Sequence, residues 1–175
     1  MYRHTIVHEL DWNEHFDYSY DSGKKGRQSL RIICVPMRHW GSRYGIDRDT
    51  TLWCGFSLRT LDDVPKKILF PGDTAWFDEM EQLVGIPYGP HDVAAIPIGA
   101  YEPRSFMKQN HINVEEAVRM KDALHAQSAV PIHWGTFVLT IEPFLEPKEV
   151  LEELMSKRND TDSFSPWLIG ESKTF

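Results

Sequence analysis

Three segments of the sequence place a side chain able to hold a metal ion just after an apolar stretch that meets a proline. They read Val35-Pro36-Met37-Arg38-His39, Phe70-Pro71-Gly72-Asp73 and Val130-Pro131-Ile132-His133. Proline cannot donate to a sheet ladder, so each stretch is expected to be a strand that ends near it and presents the residue that follows. If these strands share a sheet, their ends bring His39, Asp73 and His133 together. Two imidazoles and a carboxylate are ligand types that zinc accepts, and three protein ligands leave a position for water. Water on such an ion is acidified towards neutral pH and becomes a hydrolytic nucleophile. The spacing alone is equally consistent with two strand-end histidines bonded to backbone carbonyls and a turn Asp capping its own backbone.

The elements that must position these residues are readable from the apolar pattern. Buried strands are expected over Leu30–Val35, Thr51–Leu58, Lys67–Phe70, Asp92–Ile98 and Ser128–His133. Phe16–Tyr20 also has strand character and leads into a hairpin turn over Asp21–Gln28. Phe77, Met80 and Val84 share a helical face, which predicts a short helix over Trp76–Leu83. Asn113 and Glu116 form a capping-box signature that opens a helix over Asn113–Gln127, with Val114, Ala117, Met120 and Leu124 as its buried stripe. Pro147 opens a last helix, and Trp167-Leu168-Ile169 reads as a closing strand. Strands alternating with helices predict an α/β layered fold, and 175 residues suit one domain.

Composition narrows the function classes. The net charge of −7 argues against broad binding to a nucleic-acid backbone, leaving only a local basic patch at Lys24, Lys25, Arg27 and Arg31. The longest apolar run, Val93–Tyr101, is too short to span a bilayer, and no apolar signal segment follows Met1. Cys34 and Cys54 sit in separate strand-like runs and are expected to be free thiols, which predicts an intracellular, soluble or peripheral protein. His15, His91 and His125 read as surface or loop residues. His4 and His8 are spaced so that on a helix they could share a metal, but the segment reads as strand and they are not expected to be ligands.

A longer set of residues carries a resemblance. The run Asp92-Val-Ala-Ala-Ile-Pro-Ile-Gly-Ala-Tyr-Glu-Pro-Arg104, the positions Phe106-Met107-Lys108 and His111, the run Glu115-Glu116-Ala117-Val118-Arg119 and the run Ile132-His133-Trp134-Gly135-Thr136-Phe137 are its core. They resemble the N-acylphosphatidylethanolamine-hydrolysing phospholipases D of the metallo-β-lactamase superfamily. The resemblance implies an αββα sandwich and a phosphodiesterase releasing an N-acylethanolamine and phosphatidic acid. It further implies two zinc ions, with His39 on one, Asp73 bridging both and His133 on the second. His111 is implied close to the substrate's leaving group, with Asn110 standing where the family usually has Gln. Ser42, Ile46 and Val138 match a bile-acid groove, though their identities differ. Peripheral membrane association and a homodimer are also implied.

The family's His-x-His-x-Asp-His motif, which carries further zinc ligands, has no match here. The chain is therefore expected to correspond to the C-terminal portion of the domain, with one apolar sheet face left uncovered. Two functions are compatible with that: a zinc-dependent phospholipase D, or a catalytically inactive member that binds lipid or a partner. A nuclease of the same fold is a third, opposed by the acidic balance.

Overall fold

The computed structural model describes residues 6–23, 26–168 and 170–175. Six strands form one mixed sheet in sequence order: β1 His15–Asp21, β2 Arg27–Pro36, β3 Cys54–Thr60, β4 Lys67–Phe70, β5 His91–Pro97 and β6 Ala126–Ile132. The first four pair antiparallel, whereas β4, β5 and β6 pair parallel. Short loops join β1 to β2 and β3 to β4, a longer loop over residues 37–53 joins β2 to β3, and helical crossovers serve the parallel part. Reversing direction at β3 and again at β4 makes β2, β4, β5 and β6 co-directional, so their C-terminal ends share one edge.

Among the described residues, the sheet is covered on one face only. Val35, Leu69, Ala94, Ile96 and Ala129 point to that side and are buried with Met120, Leu124, Leu151 and Met155 of the helical layer. This layer is α3 (Val114–Ala123) and α4 (Glu146–Lys157), with two shorter helices, α1 (Ile86–Tyr88) and α2 (Arg104–Met107). Alternate residues on the same strands face the other way. In register, Phe56 lies opposite Phe70 and Leu58 opposite Ile68, while Tyr18 lies opposite Leu30. Phe70 is 50% exposed on this side and its neighbour Leu69 is fully buried on the other. An apolar row on both faces of a strand is the pattern of a sheet covered twice; among the described residues only one cover is present.

Helix α3 has the capping box expected of it. Glu116 N–H donates to the Asn113 side chain at 2.9 Å, and Glu116 Oε2 accepts the Asn113 N–H at 3.0 Å. The helix expected to reach Gln127 stops at Ala123, with Ala126 and Gln127 already in β6, and the strand expected from Thr51 starts at Cys54. Three further expectations need correction. The helix after β4 begins late: residues 76 and 77 are irregular, and a π-helical turn over Glu81–Gly85 runs into α1. The Trp76 indole instead donates to Asp78, and Arg119 stacks on its ring at 3.9 Å. The Trp167–Ile169 strand is not formed at residues 167 and 168; Phe164 makes the bridge to Ala129, and Ile169 lies outside the described residues.

The third correction is His91, which is not a surface residue. It is fully buried at the start of β5 and bonded through Nδ1 to the Leu124 carbonyl at 2.9 Å. His4, Lys24 and Lys25 lie outside the described residues. His8 stacks on Phe16, and Arg31 is paired with Asp17 at 2.7 Å. Both cysteines are free. No helix among the described residues is long and apolar enough to cross a membrane.

Candidate metal centre

The shared edge of β2, β4, β5 and β6 explains why the strand–proline pattern converges. His39 follows β2, Asp73 follows β4, His111 follows β5 by way of α2, and His133 follows β6. Donor atoms of His39, Asp73 and His111 all lie within 4.8 Å of one another. His133 Nε2 is 3.5 Å from Asp73 Oδ2, and its ring stacks on His111 with centroids 5.2 Å apart. The four residues thus form one cluster, whose tightest trio contains His111 in place of His133.

The loops carrying them are tied together by Thr74, which is fully buried. Its hydroxyl accepts the Arg38 N–H at 3.1 Å, and its carbonyl accepts the Ile112 N–H at 2.9 Å. The Arg38 carbonyl in turn accepts the Ala75 N–H at 2.6 Å. Arg104 holds the third loop from the other side, donating to the His111 carbonyl at 2.8 Å and to Glu116 at 2.7 Å. The cap of α3 and the position of His111 are therefore built from the same residues. Trp53 braces two ligand candidates at once: its indole donates to the Asp73 carbonyl at 2.7 Å, and its ring packs on His39 at 4.5 Å.

His133 sits in the left-handed backbone region, with φ of 59°, a conformation that non-glycine residues rarely adopt. Gly99 makes room for it. A Cβ on Gly99 would lie 2.3 Å from the His133 carbonyl oxygen. The adjacent ladder bond, Ile98 N–H to the Ile132 carbonyl at 3.0 Å, fixes the two strand ends at this separation.

The donor set fits a divalent cation. His39 Nδ1 donates to the Trp40 carbonyl at 2.7 Å, which leaves Nε2 with its lone pair directed into the cluster. That Nε2 faces His111 Nε2 at 3.4 Å. The Nδ1 atoms of His111 and His133 are buried and have no hydrogen-bond partner among the described residues. Burial, with smaller effects of His39 and His133, pushes the His111 imidazole down to about 4, outweighing the Asp73 carboxylate. Imidazole nitrogens converging on a carboxylate are the donor types that a divalent cation takes.

The remaining sequence-derived positions lie further out. Asn110 precedes His111 in the loop after α2, its N–H donating to the Met107 carbonyl. Ser42 donates to Asp47 at 2.7 Å and lines a cavity of about 490 Å³ with Trp53. Ile46 is 96% exposed. Val138 lines a different cavity beside His133 and Trp134. Thr74, Trp53 and Gly99 support the centre, and no motif in the sequence singles them out.

The arrangement defines a class. The chain belongs to the β-lactamase superfamily domain family, whose model matches residues 2–134, and its fold is the metallo-β-lactamase fold. Among curated relatives, it is 41% identical over 157 residues to N-acyl-phosphatidylethanolamine-hydrolyzing phospholipase D 1 of Caenorhabditis elegans, covering 89% of this chain and 42% of that protein. It is 37% identical over 150 residues to the mitochondrial protein of that activity from Saccharomyces cerevisiae, covering 85% and 30%. A UPF0173 metal-dependent hydrolase of Thermococcus onnurineus is 33% identical over 144 residues, covering 81% and 55%. Among solved structures, Igni18, a metallo hydrolase of Ignicoccus hospitalis, superposes with a TM-score of 0.56 at 26% identity, covering 83% of this chain and 53% of that one. The chain thus spans about a third to just over half of the length of these relatives.

Proposed function

We propose that this chain carries part of the metal centre of a zinc-dependent phosphodiesterase that hydrolyses N-acylphosphatidylethanolamine. The observation that carries the reading is the convergence of His39, Asp73 and His111 at one sheet edge, with His133 against Asp73. The relatives named as phospholipases D support the substrate class. A divalent cation held there would supply a Lewis acid and a hydrolytic nucleophile. Asp73 offers two carboxylate oxygens, enough to serve two cations, and its charge offsets theirs. His39 is locked in the tautomer that offers Nε2. His111, neutral at physiological pH, acts as a ligand or as an N–H donor to a phosphate oxygen, rather than as a source of a full proton. The substrate implies a membrane surface, and a bile acid and a homodimer belong to the same reading without further support from the geometry.

Metal analysis of the purified chain, with a phosphodiesterase assay alongside, tests this. Less than one tightly held zinc per chain is expected, with turnover only when the family's other ligand-bearing half is supplied in trans. Asp73→Asn should then abolish that turnover while leaving the fold intact. Normal turnover in this variant would refute the role given to Asp73. The second reading, a non-catalytic member that binds lipid or a partner, is favoured by the uncovered apolar sheet face. It predicts lipid binding without hydrolysis even when the other half is supplied.

A further inference from the structure

A second cavity, of about 320 Å³, is built from the same three loops that carry His39, Asp73 and His111, and contains none of those residues. Arg38, the neighbour of His39, lines it. So do Trp76 and Phe77, just beyond Asp73, and Lys108, three residues before His111. Two carboxylates, Asp78 and Glu116, also face it, and both are engaged. Asp78 accepts the Trp76 indole N–H at 2.9 Å, and Glu116 is held by Arg104 at 2.7 Å and by the Asn113 N–H. The Arg38 guanidinium and the Lys108 ammonium are exposed. Neither has a hydrogen bond or ion pair among the described residues. Both residues line the cavity together with Trp76 and Phe77.

Two unpaired cations of different geometry over an aromatic wall suit one chemistry. The guanidinium fork binds two oxygens of one anion, and the ammonium adds a point charge. We propose that this cavity is a subsite for a phosphate monoester, separate from the metal centre, with the ester's apolar portion lying on Trp76 and Phe77. The phosphate comes from an anionic phospholipid headgroup or from a small soluble ester. The site does not depend on the proposed hydrolytic activity. With Glu116 paired to Arg104, Arg38 and Lys108 exceed the remaining carboxylate, Asp78, by one positive charge.

The test uses the full chain in the presence of EDTA, so that phosphate held through a metal ion does not contribute. Titration calorimetry with inorganic phosphate is expected to show saturable binding. Arg38→Gln and Lys108→Gln should each weaken it about tenfold, the loss of one charge-assisted contact, and His39→Ala should leave it unchanged. Vesicles of phosphatidylcholine with and without phosphatidic acid form the second arm. Retention on the phosphatidic acid vesicles alone, lost in the same two variants, assigns the lipid headgroup as the source. Phosphate binding without vesicle retention assigns a soluble ester. Absence of saturable binding at millimolar phosphate, or equal affinity in the parent chain and both variants, overturns the subsite. Because the readout is binding without turnover, failure here leaves the hydrolase reading standing, and failure of hydrolysis leaves this one standing.

Discussion

Replacing Gly99 with Ala probes the link between sheet packing and the metal centre. The added Cβ would stand 2.3 Å from the His133 carbonyl oxygen and 3.4 Å from both the His133 carbonyl carbon and Trp134 Cα. An ordinary carbon–oxygen contact is about 1 Å longer than the first of these, and everything the methyl meets is backbone, so no side-chain rotation relieves it. The end of β6 must move away from β5, stretching the Ile98–Ile132 ladder bond of 3.0 Å. Overpacking of this kind costs about 1–3 kcal/mol, and the weakened ladder bond adds about 1 kcal/mol. Urea unfolding of the metal-free chain should therefore show a loss of about 2–4 kcal/mol. His133 rides on the displaced segment, so its imidazole leaves Asp73. Zinc affinity should fall about 10–100-fold, the usual effect of disturbing the groups that orient ligands. Competition with a chromophoric chelator measures it. A variant with parental stability and parental zinc affinity would refute both the close approach at Gly99 and the place of His133 in the centre.

Other perturbations separate the remaining elements. Leu69→Ala should cost about 2–5 kcal/mol because the side chain is fully buried against the helices, whereas Phe70→Ala should cost about 1–2 kcal/mol because half of its surface is already wet; equal losses in urea unfolding would contradict the one-sided sheet. Trp53→Phe removes the indole bond to the Asp73 carbonyl and should cost about 1 kcal/mol, with a fall in zinc affinity and no shift in circular dichroism; unchanged affinity would remove Trp53 from the support of the centre. Burial, outweighing its bond to the Leu124 carbonyl, holds the His91 imidazole below its ordinary value of 6.5. The unfolded chain therefore binds the extra proton first, so stability is whole above that value and declines as pH falls below it. His91→Gln should make this decline shallower in urea midpoints taken from pH 7 to pH 5, leaving the part that the lowered His111 contributes, and an unchanged slope would remove His91 from it.

The parts legible in the sequence are those where one residue type admits one local conformation. Proline near three strand ends marked where His39, Asp73 and His133 would emerge, and Asn113 with Glu116 marked the start of α3. Lys67–Phe70 matches β4 residue for residue. Other features depended on contacts between distant segments. The helix expected from Trp76 failed because Trp76 is captured by Asp78 and by Arg119 of α3. His91 read as a surface or loop residue, yet it is fully buried and bonded to the Leu124 carbonyl at the end of α3. The part played by Trp53 depends on a loop twenty residues on, and a lone indole in a sequence points nowhere. His111 entered only through resemblance, since its strand, β5, ends well before it.

The common direction of β2, β4, β5 and β6 also sets an order in time. The β1–β2 and β3–β4 hairpins close through short loops, whereas pairing β4 with β5 and β5 with β6 waits on crossovers and forms contacts that are distant in sequence. His111 and His133 reach Asp73 only after that later pairing is complete. A cation caught at this edge would arrive last in refolding and mark the moment the sheet is whole. In unfolding it would hold the parallel strands while the β1–β2 ribbon opens, so the two ends of one sheet would come apart on different clocks.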